Sequence, residues 1–304
     1  YAGLFATIVG TVQDLGLENV NITTSHSYGL TPYDMYAGAL AGKVTFGGKV
    51  TNCYVSGGTI SGNATIVGGL IGEIGENNEY HTNLVSDCWA NVTVNKTSYS
   101  KDGSYNTGAV GGLVGSSGGT ISNCYSLGDV NAAYGYVGGF VGVATGTISN
   151  SFSTGNVKVT NSSSSNTTYT GGFAGALGST GTMPNFDIGN TVNMQNNYST
   201  GTVTAAKGSV GGFTGGAMID VNQGTKISDY TMSNNFSDSG SASKAIGSGS
   251  VSGISAVANS EINSGISGLG FSNLTMTEVV NEHIATTSTT IKDLMGKGGS
   301  QTLT

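Results

Sequence analysis

Apolar residues in this chain arrive in short bursts set apart by Gly, Asn, Ser and Thr, and the bursts recur. Gly-Gly-Leu-Ile-Gly at 68–72 returns as Gly-Gly-Leu-Val-Gly at 111–115 and Gly-Gly-Phe-Val-Gly at 138–142, then as Gly-Gly-Phe-Ala-Gly at 171–175 and Gly-Gly-Phe-Thr-Gly at 211–215. Weaker copies begin at Ala2 and Gly38, with a faint one near Gly253. A second phrase follows each first one: Val50-Thr-Asn-Cys-Tyr, Val85-Ser-Asp-Cys-Trp, Ile121-Ser-Asn-Cys-Tyr and Ile148-Ser-Asn-Ser-Phe, with looser versions at Gln195 and Ser233. A third apolar piece, as at Val130, Val157 and Val203, closes many units. Successive starts from Ala2 to Gly211 are 36, 30, 43, 27, 33 and 40 residues apart, so the shortest is the bare unit and the rest is insertion.

The runs are too short for helices and lack a 3.6-residue period, and glycine is costly inside helices. Strands this short bury nothing alone, but stacked copies share one core. A unit of about 27 residues with several strand pieces predicts an all-β chain, one unit per coil of a parallel β-helix (β-solenoid). Coils about 4.8 Å apart give a rod on the order of 40 Å. Propeller blades need about 40 residues and four strands, which the 27-residue copy does not supply. The pattern divides the chain into a repeat solenoid at 1–240 and a degenerate end at 241–304, where 273–283 reads as a short helix. Tyr1 falls inside a copy, so further solenoid is expected upstream.

Repetition also weighs the chemistry-bearing residues. Cys53, Cys88 and Cys124 share one repeat position, held elsewhere by Ser151, Asn197 and Asn235, so they read as free thiols in a ladder rather than a disulfide or metal set. The preceding Asn52, Asp87, Asn123, Asn150, Asn196 and Asn234 suit a tight left-handed turn and an amide ladder. The following Tyr54, Trp89, Tyr125, Phe152, Tyr198 and Phe236 should stack. Which of Cys or aromatic faces the core is open at this level. Outward aromatics would form a sugar-stacking stripe, whereas plain packing is the favoured reading.

The pair Gly-Gly-Leu-Val-Gly and Ile-Ser-Asn-Cys-Tyr-Ser-x-Gly-x-Val resembles the GLUG repeat over roughly residues 2–240. Such repeats occur in large bacterial surface proteins, including autotransported adhesins and the non-catalytic region of streptococcal-type immunoglobulin A peptidases. The resemblance implies architecture and an extracellular or cell-surface setting more than any activity.

Composition narrows the function classes. Ten lysines without arginine stand against 17 acids, a formal charge of −7, which disfavours nucleic acid and anionic substrates. No apolar stretch is long enough for a membrane-spanning helix. His26, His81 and His283 lie in unrelated contexts, with no His-Glu-x-x-His helix and no convincing nucleophile elbow. Glu73, Glu76, Glu79 and Asp102 lie in insertions, and Asp87 and Asp129 in or beside turn positions, so paired catalytic carboxylates are not evident. No cofactor, metal or catalytic residue is expected. The insertions, read as 23–36, 73–83, 95–107, 158–170, 176–191 and 216–231, are rich in Asn, Ser, Thr and Tyr, a composition suited to recognition and expected on one face. Tyr33, Tyr80 and Tyr99 are the candidate anchors. The reading is a non-catalytic stalk or adhesin segment whose loops bind a host or cell-surface glycan or protein. Its alternatives are a polysaccharide hydrolase or lyase on the same scaffold, or the spacer of a large surface peptidase.

Overall fold

The computed structural model describes residues 1–25, 35–75, 77–78, 80–97, 108–160, 168–178, 191–218, 230–250 and 252–257. Among them there is no helix, and every strand pairing is parallel and joins one coil to another. The coil from 114 to 138 shows the path. Val114–Ser117 lies in a first sheet; Thr120–Ser122, Tyr125–Ser126 and Val130–Ala132 lie in a second; Tyr136–Gly138 lies in a third. The first sheet runs through eight coils in the register Phe5, Ala41, Ile71, Val114, Val141, Ala174, Thr214, Ile246. Those steps reproduce the sequence spacings. The eighth coil is a correction: Ile246 occupies the phrase register, while Ile254, next to Gly253, pairs with Asn235 of the second phrase. The solenoid thus runs on to Val257. The stretch 273–283 lies outside the described residues.

Two local rules turn the phrase into a coil. At the Gly-Gly corner between the third and first sheets, a Cβ on Gly112 would press on the carbonyl oxygen of Gly139, and one on Gly139 on that of Gly172. The corner is therefore packed backbone on backbone. At the second phrase the chain bends through a left-handed residue: Asp14, Asn52, Asp87, Asn123, Asn150, Asn196 and Asn234 have φ between +50° and +58°. Asn and Asp bear that conformation better than other side-chain-bearing residues. Their side chains form the expected ladder, with the Nδ2 of Asn150 donating to Asn123 Oδ1 at 3.3 Å and those of Asn196 and Asn234 continuing it at 3.1 Å each. Asp87, with no amide hydrogen to give, accepts from Asn123 at 3.3 Å.

The bend decides which neighbour faces inward. Cys53, Cys88 and Cys124 are buried and unbridged. The backbone N–H of Cys53 donates to Cys88 Sγ at 3.3 Å and that of Cys88 to Cys124 Sγ at 3.4 Å. Ser151 Oγ and Asn197 Oδ1 take over the acceptor role in later coils. The column therefore needs a small acceptor rather than a thiol, and burial pushes the Cys88 thiol well up. The rings of Tyr54, Trp89, Tyr125, Phe152 and Tyr198 stack with centroids 4.6 to 5.8 Å apart and planes within 5°. Gly16 occupies the matching place in the first coil, against the Tyr54 ring. Ring covers ring along this column, and Tyr125, Phe152 and Tyr198 are fully buried. The packing reading holds for these three rings, while Tyr54, Trp89 and Phe236 are half-buried.

The core contains a second column of Leu40, Leu70, Leu113, Phe140, Phe173 and Phe213, all fully buried. Charged residues are also buried in the described coils, Lys96 among them. Lys96 ends the strand Trp89–Lys96 on the buried row, in register with Gly62 and Ala132, its Nζ 4.8 Å from the centre of the Tyr134 ring. Burial pulls its ammonium down to about 8 from 10.5. Below pH 8 both folded and unfolded chains carry the proton and the fold bears the cost of burial. Between 8 and 10.5 the folded chain releases it first, so stability rises with pH. Denaturant unfolding of the wild type should gain about 2 kcal/mol from pH 7 to 9.5 relative to Lys96→Met. Parallel pH dependences in the two proteins would refute this.

Candidate functional site

The strands fix where extra sequence leaves the solenoid. At the corner between the first and second sheets, coils four and five turn with Gly118-Gly119 and Thr145, whereas residues 75–83, 178–191 and 218–229 fill it in coils three, six and seven. At the corner between the second and third sheets, coils two and four need only 63–65 and 133–135, whereas 25–35, 97–108 and 160–168 fill it in coils one, three and five. In the six coils whose third-sheet strand is described, the Gly-Gly corner takes two or three residues. Its tight backbone packing leaves no room for more. Insertions thus leave from two corners, one on each side of the second sheet, rather than from one face. Each starts a residue or more later than the sequence suggests: Glu73 lies inside the strand Ile71–Ile74, and Asn95 and Lys96 inside Trp89–Lys96.

Glu73 is fully buried and pairs with Lys43 Nζ at 2.7 Å, beside the Tyr36 ring that Lys43 overlies at 5.5 Å. The pair links neighbouring coils in an outer apolar cluster with Ile66, Ala109 and Tyr136. The pair belongs to the packing between neighbouring coils. Among the described residues no group of three or more His, Cys, Asp or Glu could hold a metal ion. Nor does any helix there have the length and apolarity to cross a membrane.

Of the three candidate anchors, Tyr33 and Tyr99 lie outside the described residues, in insertions that join at the second-to-third corner. Tyr80 belongs to the other corner and is 79% exposed. Its loop is held by amides. Asn78 Oδ1 accepts from the N–H of both Tyr80 and His81 at 2.9 Å, and Asn77 ties the loop to Thr120 Oγ1 at 2.9 Å. The buried Asn83 bonds Gly75 O and the N–H of Gly47, each at 3.0 Å. This brings His81 edge-on to Phe46 of the preceding coil, with centroids 5.6 Å apart. Phe46 is 66% exposed and has φ +50°, a backbone region that bulky side chains avoid. Sequence reading missed Phe46 and His81. Aligning the copies at this corner would have exposed the first, because coils four and five use only Gly and Thr there.

Repeated coils, side-chain ladders through the core and variable loops at two corners define a parallel β-solenoid repeat protein. The chain carries GLUG repeats: the GLUG motif matches residues 33–61, 106–131 and 133–160. Those are coils two, four and five, which pass the first-to-second corner without a long insertion. No curated protein and no solved structure matches the chain.

Proposed function

We propose that this chain is a non-catalytic, rod-like segment of a bacterial surface protein that attaches to a host or neighbouring-cell surface through loops at two corners. The observation that carries this reading is the division of labour along the coil. The Gly-Gly corner and the Asn turn keep their length, while the two corners flanking the second sheet vary from one residue to more than ten. The described loop there displays Tyr80 to solvent. Solenoid loops of variable length on an invariant frame are the usual place for recognition.

The test is to shorten 25–35, 75–83 and 97–108 to the lengths of their counterparts in coils two, four and five. The trimmed rod should keep its β circular-dichroism spectrum and lose at least tenfold in attachment to cells. Undiminished attachment would move the site to the rod itself, and failure of the untrimmed chain to attach would refute the reading.

A further inference from the structure

We infer that Phe46, Tyr80 and His81 form a stacking site for a neutral glycan at the corner between the first and second sheets; this rests on the attachment reading above. Phe46 contributes little to the fold where it stands. Coils four and five make the same corner without an aromatic, and here the ring is two-thirds exposed on a left-handed backbone. Residues held in such conformations concentrate at ligand clamps. The loop of the next coil then sets His81 edge-on to Phe46, and Asn78 and Asn83 hold that loop, so these two rings are in place before any ligand arrives, with the exposed Tyr80 next to His81 in the chain.

The chemistry of the ligand follows from what surrounds the rings. Aromatic faces pack on the C–H faces of pyranoses, and the amide-rich loop offers donors and acceptors to hydroxyls. The chain has ten basic residues in all, each a lysine, which suits an uncharged sugar better than a uronate or sialate. Two rings supply a few hundred Å² at most, from about 150–250 Å² each. A stable protein partner needs about 800 Å² a side. The patch is the right size for a few sugar units.

Isothermal titration of the full chain with neutral hexasaccharides of glucan, mannan and galactan type tests the site, alongside attachment to cells. At least one saccharide should bind at millimolar or better affinity. Phe46→Gly and Tyr80→Ser should each lower that affinity tenfold or more, whereas Phe46→Tyr should stay within about threefold. Glycine accepts a positive φ, so Phe46→Gly should melt no lower than the wild type, which separates lost binding from lost folding. No binding by any saccharide, or wild-type affinity in both ring variants, would overturn the inference. So would cell attachment that survives periodate treatment of the cells but not protease treatment. Attachment by the wild type that persists in Phe46→Gly would overturn this site alone, whereas no attachment by the wild type would overturn the broader reading.

Discussion

Gly139→Ala should cost about 3 kcal/mol or more, although it adds one methyl group. The added Cβ would stand against the Gly172 carbonyl oxygen, with Ser153 Oγ 3.3 Å away. A backbone carbonyl cannot rotate aside as a side chain can, and this one belongs to the next coil. Relief would require the coils to separate at the corner, where Gly139 N donates to Gly171 O at 3.2 Å. Overpacking alone costs about 1–3 kcal/mol, and a damaged backbone ladder adds to it. Gly10→Ala is the matched control, since no heavy atom lies within 4 Å of its added Cβ. It should shift stability by less than about 0.5 kcal/mol. Equal urea midpoints for the two variants would show that the corner tolerates a side chain.

Phe173→Ala should be as damaging for the opposite reason. The ring lies between Phe140 and Phe213, with centroids 4.6 and 4.9 Å away, and is fully buried. Removing it leaves a void between two rings fixed by their own coils, with an expected loss of about 3–5 kcal/mol. Phe173→Leu should cost less, about 1.5 kcal/mol, because Leu40, Leu70 and Leu113 already fill the same column in earlier coils. Thermal unfolding of both variants checks the order. Equal losses would mean that ring stacking, not filled volume, holds the column.

Coil number and register were legible because each phrase residue answers a constraint that few others satisfy. Glycine at 112 and 139 avoids a neighbouring carbonyl, and Asn at 123 and 150 takes a left-handed turn. The eighth coil was misplaced because Ser243 and Lys244 stand where Gly211 and Gly212 stand in the seventh, leaving Ile246-Gly247 as the trace of the phrase. The inward face of the Cys–aromatic pair was not legible, since the left-handed bend resets the alternation that would have shown it. At the candidate site Tyr80 was picked out by residue type. Phe46 was not, because its importance lies in being brought against His81 from another coil.

The amide column and the Cys–Ser column beside it run in opposite senses. Side-chain amides of Asn150, Asn196 and Asn234 donate towards the preceding coil, while the backbone N–H groups of Cys53, Cys88, Cys124 and Ser151 donate towards the following one. A single such column would sum its dipoles along the rod and separate more charge with every coil, as aligned peptide groups do in a helix. Here the backbone N–H groups of one column oppose the side-chain amides of the other, and the thiols of Cys53, Cys88 and Cys124 also donate back to carbonyls of the preceding coil. Opposed columns of this kind limit the dipole that builds up along the axis as coils are added.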